Sequence, residues 1–162
     1  MPKMVLACTL NGEETELLVQ PYATLLEALR ETAGLTGAKE GCGTGDCGAC
    51  TVQMDGQPVA SCLVLAMQAR GRTVRTVEGL ASVDGSLHPV QAAFVKHGVP
   101  QCGFCIPGMI MSASALLEAN PAPSEAEIRL GIAGNLCRCT GYTKMVAAIT
   151  EASTVQTAGK GV

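Results

Sequence analysis

The sequence has 162 residues and a formal net charge of −3, from 11 Lys and Arg against 14 Asp and Glu. Apolar residues make up 48% of the chain, which is enough for a folded core in one domain or two small ones. The slightly acidic balance and an aromatic content of 2% argue against nucleic-acid binding. No apolar run reaches the roughly 20 residues of a membrane span. Because the N-terminus also carries no secretion signal, we expect a cytoplasmic protein without a membrane span.

The first half of the sequence predicts strands around one helix. Apolar, partly alternating runs are separated by the pairs Asn11-Gly12 and Asp55-Gly56, which is typical of β-hairpins. Thr24, with Glu27 three residues later, predicts a capping box that begins a helix over residues 24–32. The expected strands are residues 3–10, 15–20, 51–54, 57–61 and 72–77.

After Val77 the pattern is helical. His88 and His97 lie on the first of these helices and are interpreted as solvated side chains, and we find no acid–base or nucleophilic set that would be catalytic. The expected helices are residues 89–97, residues 107–119, a helix capped by Ser124 and Glu127, and residues 143–153. The predicted domains are residues 1–77 and 78–153, followed by a tail over 154–162.

The unusual feature of the sequence is its nine cysteines. A disulfide framework would require an oxidising compartment, and the cytoplasm is not one. Cys8 stands alone in a strand-like run and is interpreted as a small buried side chain. The other eight form two groups of four.

The first group of cysteines lies mainly in one glycine-rich loop. Cys42, Cys47 and Cys50 are followed after eleven residues by Cys62, which is the plant-type spacing for a [2Fe–2S] cluster. Glycines allow the backbone to wrap closely and bring N–H groups to the sulfurs. Four thiolates also suit zinc, but zinc sites usually pair two short C-x2-C segments. The spacing therefore favours iron–sulfur over zinc.

The second group consists of Cys102 and Cys105, followed after thirty-one residues by Cys137 and Cys139. Alone, this pattern also fits zinc or a disulfide. Cys137 and Cys139 are very close for two ligands of one ion, and a cluster with two metal atoms relaxes that demand. Arg138 between them is either a cation beside an anionic site or a solvated side chain. Two redox clusters in one short chain indicate an electron relay.

Three segments carry a resemblance to a known family. Residues 40–52, EGCGTGDCGACTV, resemble the plant-type cluster loop of the molybdenum hydroxylases. Residues 101–109, QCGFCIPGM, and residues 134–142, GNLCRCTGY, resemble the two motifs of their second cluster. Over residues 3–150 the chain resembles the small iron–sulfur subunit of the xanthine dehydrogenase and aerobic carbon monoxide dehydrogenase family. Ile106 departs from the threonine that the family often has there.

The resemblance implies an α+β fold. An N-terminal plant-type ferredoxin-like β-grasp domain is followed by a four-helix-bundle [2Fe–2S] domain. The ligands of the two clusters would be Cys42, Cys47, Cys50 and Cys62, and Cys102, Cys105, Cys137 and Cys139. Gln101 and Cys139 match the residues that lie nearest the pterin of the molybdenum cofactor, so the second cluster would be nearer the molybdenum and the first nearer the electron acceptor.

The resemblance also implies partners. A large subunit would hold a molybdenum–pterin dinucleotide, a medium subunit would hold FAD, and the assembly would be a dimer of heterotrimers. Two alternatives remain open from the residues themselves. One is a free-standing ferredoxin with two clusters, and the other is a zinc-binding interaction module without redox function.

Overall fold

The structure, a computed structural model, describes residues 1–159, with side chains described as far as Val155. Its N-terminal half is a five-stranded sheet in the order β2-β1-β5-β3-β4. Strands β1 and β2 form the predicted hairpin, as do β3 and β4, and β5 lies parallel to β1 and antiparallel to β3. The strands are β1 Met4–Leu10, β2 Glu13–Val19, β3 Thr51–Met54, β4 Gln57–Ala60 and β5 Thr73–Arg75.

One helix covers the N-terminal sheet. Helix α1, Leu25–Glu27, continues as a π-helical turn over Ala28–Thr32. The Thr24 hydroxyl accepts the Glu27 N–H at 3.1 Å and the Glu27 carboxylate accepts the Thr24 N–H at 2.7 Å, which confirms the capping box. Apolar side chains of α1 pack on the buried face of the sheet, and Cys8 is buried among them, as expected. This is the expected β-grasp arrangement.

The C-terminal half is a helical domain with its own hydrophobic core. Its helices are α2 Pro89–Lys96, α3 Ile106–Ala119, α4 Glu125–Gly131 and α5 Tyr142–Gly159. The Ser124 and Glu127 capping box is formed, with hydrogen bonds of 3.3 and 2.7 Å. One core draws on residues 6–74 and the other on residues 80–152, while the exact boundary between 77 and 78 stays a prediction. None of the helices in residues 1–159 could span a membrane.

The structure corrects two expectations in this half. Helix α5 continues to Gly159, although we expected it to end near Ser153 and a tail to follow; residues 160–162 of that tail lie outside the described part of the chain. No Gly or Pro interrupts the chain between these points, so no local signal ends the helix.

The second correction concerns the two histidines: His88 and His97 are not free solvated side chains. His88 Nδ1 accepts the Val90 N–H at 3.3 Å, and His97 Nε2 lies 2.9 Å from a Glu151 carboxylate oxygen.

The two halves contact each other along helix α3. Gln53 on β3 is 1% exposed, and its Nε2 donates to Ser114 Oγ on α3 at 2.9 Å. Arg75 on β5 forms an ion pair of 2.7 Å with Glu118, also on α3. This interface continues toward the cysteine loops, which lie at its end.

Candidate metal centres

Thiols of the first cysteine group lie in two pairs. The Cys50 and Cys62 sulfurs are 3.3 Å apart, and Cys47 lies close enough to Cys42 to lower the pKa of the Cys42 thiol. Cys42 is exposed and Cys50 is buried, so the site has an outer and an inner side. All nine cysteines of the chain fall within the described residues, and each is a free thiol.

Backbone N–H groups surround the sulfurs of this loop. The Thr44 N–H donates to the Cys42 sulfur at 3.4 Å. Hydrogen bonds from the Thr44 hydroxyl and N–H and from Cys47 lower the pKa of Cys42 to about 6. At the inner side, burial and the neighbouring thiol of Cys50 raise the pKa of Cys62 to about 11. The loop therefore favours the thiolate at its outer side, as a site for an anionic group requires.

The backbone at Gly41 lies so close to the Cys47 sulfur that only glycine fits there. A Cβ on Gly41 would lie 2.8 Å from the Cys47 sulfur, which is closer than real Cβ atoms approach. A side chain at this position would push the sulfur out of its place. Gly41 thus leaves the room that the sulfurs of the loop need.

The second cysteine group has the same paired arrangement on a different scaffold. All four cysteines line one small cavity, in which Cys139 lies close enough to Cys102, and Cys137 close enough to Cys105, to shift the pKa of that neighbour. Cys105 is the N-cap residue of α3. Cys102 is exposed while Cys105 and Cys137 are buried, so this site too has an outer and an inner pair.

Burial and hydrogen bonding shift the pKa values of the second group in opposite directions. Burial and the thiol of Cys137 raise the pKa of Cys105 to about 12. Burial also opposes ionisation of Cys137, but N–H groups of Gly141, Cys139 and Thr140 and the Cys105 thiol lower its pKa. The Phe104 N–H and the Cys139 thiol lower the pKa of Cys102. These N–H groups form a concave anion-binding surface around the sulfurs.

The arrangement fits a group with two metal atoms. Two pairs of thiols per site would provide two ligands for each of two irons, and the N–H donors suit the negative charge of a [2Fe–2S] cluster. Within residues 1–159, no three or more His, Cys, Asp or Glu side chains gather where a single metal ion could be held. The structure thus brings each predicted set of four cysteines together in pairs.

Gln101 lies beside the outer pair of the second site. Its Nε2 donates to the Cys139 carbonyl oxygen at 3.2 Å, and its side chain is exposed. Arg138 is also exposed, and among the described residues no hydrogen bond joins its side chain to a cysteine.

Two residues that the sequence analysis did not single out hold the second site. The Cys137 N–H donates to the Tyr142 hydroxyl at 2.6 Å, across one turn of loop. Asn135 is 3% exposed, and its Nδ2 donates to the Gly48 carbonyl oxygen at 2.9 Å. Both residues lie within the segment that resembles the second-cluster motif, but nothing in their spacing indicates these partners.

The two cysteine loops touch directly. The Leu136 N–H donates to the Cys47 carbonyl oxygen at 2.8 Å, so a residue next to Cys137 is hydrogen-bonded to a cysteine of the first site. Gly48 lies against the same segment with φ +68°, and a Cβ there would collide with Gly134 O and lie 2.6 Å from Asn135 Nδ2. The two sites are therefore joined through their backbones.

The geometry defines a protein with two [2Fe–2S] domains, and comparison with known families agrees. Residues 8–80 match the family "2Fe-2S iron-sulfur cluster binding domain", and residues 76–150 match the family "[2Fe-2S] binding domain". Together the two matches cover most of the chain.

Several known proteins are similar over nearly the whole chain. The nicotinate dehydrogenase small FeS subunit of Eubacterium barkeri is 49% identical over 94% of this chain and 96% of its own. The xanthine dehydrogenase iron-sulfur-binding subunit of Escherichia coli O157:H7 is 48% identical over 91% and 93%. In the crystal structure of quinoline 2-oxidoreductase from Pseudomonas putida 86, one chain superposes with a TM-score of 0.93 and 45% identity, covering 99% of both chains. The chain belongs to the family of small iron–sulfur subunits of molybdenum hydroxylases.

Proposed function

We propose that this chain is the electron-transfer subunit of a heteromeric molybdenum hydroxylase. It receives electrons from a molybdenum–pterin centre on a large partner subunit and passes them through its two sites to a flavin subunit or an external acceptor. The observation that carries this proposal is the direct hydrogen bond between the loops of the two sites, from Leu136 N–H to Cys47 O. Two sites joined in this way suit a relay.

The proposed ligands are the eight paired cysteines. Each [2Fe–2S] cluster, when bound, takes up and releases one electron at a time. Each thiol pair would bind one iron, which leaves Cys8 as a core residue. The first cluster is assigned to Cys42, Cys47, Cys50 and Cys62, and the second to Cys102, Cys105, Cys137 and Cys139. The residues of this chain hold the clusters and set their surroundings, and none of them is proposed to act on substrate.

We assign the second site to the side of the molybdenum–pterin partner. Gln101 and Cys139 are the proposed contacts with the pterin, and their support is the 3.2 Å hydrogen bond that holds the Gln101 amide on the Cys139 carbonyl. Because both residues belong to the outer side of the site, they are accessible to a partner chain. Cys139 would then serve both as an iron ligand and as the outermost point of the relay.

The proposed assembly is a dimer of heterotrimers in the cytoplasm, with a large molybdenum–pterin subunit and a medium FAD subunit. The relatives are named for nicotinate, xanthine and quinoline. Because the small subunits of such different enzymes are about equally similar to this chain, we assign the choice of substrate to the large subunit.

Metal analysis of the native complex tests this proposal. A tagged copy of the chain is used to purify the complex from its own cells, and iron, zinc and molybdenum are measured per chain. We expect about four irons, the sum of two [2Fe–2S] clusters, together with molybdenum in a co-purified large chain. A brown chain that emerges alone with the same iron would instead establish a free ferredoxin. A colourless chain that contains zinc would establish the interaction module.

A further inference from the structure

A buried, hydrogen-bonded contact lies between the two cysteine loops. The Gly48 carbonyl oxygen accepts the Asn135 side-chain amide at 2.9 Å and the Thr51 hydroxyl at 2.7 Å. Asn135 Nδ2 also donates to Thr51 Oγ1 at 3.3 Å. Asn135 and Thr51 are both buried, which makes these hydrogen bonds stronger than they would be in water. We name Asn135, Gly48 and Thr51 the interloop lock.

Close backbone packing leaves no room for a side chain on two further sides of the interloop lock. A Cβ on Gly108 in α3 would collide with the Gly48 carbonyl oxygen, just as a Cβ on Gly48 would collide with Gly134. The Gly48 peptide is thus held between the loop of residues 134–135 and the first turn of α3. The nearest atoms that these two added Cβ atoms would meet are the backbone oxygens of Gly134 and Gly48.

The interloop lock lies next to cysteines of both sites. Gly48 lies between Cys47 and Cys50 in the first site, and Asn135 precedes Cys137 of the second site by two residues. A shift of the Asn135 loop would therefore move a cysteine of one site relative to those of the other. We propose that Asn135 is a positioning residue that sets the separation of the two sites and thereby the rate at which one electron leaves one site, which is oxidised, and reaches the other, which is reduced.

This inference rests on the proposed function, and its test separates the two. The chain in its complex carries Asn135→Ala, and the matched control is Gln53→Ala. Gln53 is also buried and also joins the halves, but it contacts Ser114 along α3 and not the cysteine loops. Both variants lose a buried hydrogen-bonded amide between the halves, so a purely structural role predicts similar effects.

Four measurements are made on each protein, and the first is the thermal midpoint of unfolding. Iron and acid-labile sulfide report whether both clusters are present, low-temperature EPR reports the magnetic interaction between the reduced clusters, and rapid-mixing reduction reports electron transfer between them. For Asn135→Ala we expect full iron, a weaker interaction and a several-fold slower transfer, because the electronic coupling between two clusters falls steeply as the distance between them grows. For Gln53→Ala we expect a lowered thermal midpoint but unchanged interaction and rate.

The outcomes are separable. If Asn135→Ala keeps its iron, its magnetic interaction and its rate, the positioning role is wrong, and it is equally wrong if Gln53→Ala changes all readouts to the same extent. If Asn135→Ala does not fold, Asn135→Ser and Thr51→Val each weaken one part of the lock, and iron-loaded variants with unaltered interaction and rate overturn the proposal. Absence of two distinct cluster signals in the unmodified chain would instead overturn the proposed function.

Discussion

The two cysteine sites solve the same task with different scaffolds. In the first, a single glycine-rich loop between α1 and β3 supplies three cysteines, and glycine leaves room for the sulfurs. In the second, two short segments beside the starts of α3 and α5 supply two cysteines each. Both arrive at an outer pair and an inner pair of thiols surrounded by N–H groups. The paired geometry, and not the scaffold, is what the chemistry requires.

The scaffolds differ in what holds them. The first site depends mainly on backbone conformations within one loop, whereas the second joins segments that lie thirty-one residues apart in sequence. Its geometry therefore depends on side chains that tie these segments down, such as Tyr142 to Cys137. We expect the second site to be the more sensitive of the two to single substitutions.

The largest expected effect is the loss of one cluster while the other is kept. Replacement of an inner ligand, Cys137→Ser, should remove the second cluster and leave the first, because the two sets of thiols are distinct. Iron and labile sulfide are expected to fall from about four to about two per chain. Turnover with artificial electron acceptors should be lost.

Cys8→Ala is the matched control for this change. Cys8 is as buried as the inner cysteines but lies in the core of the sheet, so it should keep full iron and activity. Its small cavity is expected to lower the free energy of unfolding by about 1 kcal/mol. An intact second-cluster EPR signal in Cys137→Ser would contradict the ligand assignment.

A smaller change sharpens the comparison within the second site. Tyr142→Phe removes the hydroxyl that accepts the Cys137 N–H at 2.6 Å. We expect the free energy of unfolding to fall by about 1–2 kcal/mol, since a buried donor is left without its partner. A redox titration should show a changed midpoint potential for the second cluster only.

Tyr22→Phe is the control, because Tyr22 is 67% exposed and lies in the other half of the chain. It should leave both stability and potentials unchanged. If Tyr142→Phe altered neither potential nor stability, the hydroxyl would have no part in holding the second site.

The smallest expected effects compare the two halves through their capping boxes. Thr24→Ala and Ser124→Ala each remove a hydroxyl that accepts the N–H of the Glu three residues later. Each should lower the stability of its helix by about 1 kcal/mol. Hydrogen exchange should show faster opening near α1 in the first variant and near α4 in the second. Equal acceleration throughout both halves in either variant would mean that the chain opens as one unit.

Local features of the structure could be predicted from the sequence because their causes are local. Asn11 and Asp55 adopt positive φ values of 52° and 51° in the two hairpin turns, as the Asn-Gly and Asp-Gly pairs indicated. Both capping boxes formed where the Thr or Ser and Glu spacing placed them. The two groups of cysteines were recognised in the same way, because spacing along the chain limits which sulfurs can meet.

Contacts between distant segments could not be predicted. The parallel pairing of β5 with β1 depends on how the N-terminal half folds on itself, and the hydrogen bond from Asn135 to Gly48 depends on how the two halves dock; no local pattern encodes either. Residues 154–159 of α5 were expected to be part of a frayed tail at the end of the chain, yet the helix continues. The pairing of thiols within each group likewise became visible only in three dimensions.

The packing of the Gly48 peptide has a consequence for the evolution of such chains. At Gly48 and at Gly108 even the methyl group of alanine would collide with opposing backbone atoms, which cannot rotate away as a side chain can. Exposed neighbours such as Leu136 make their contact through the main chain, so their side chains are free to drift. Mutation can therefore change the exposed residues around this junction, while positions 48 and 108 permit no residue other than glycine.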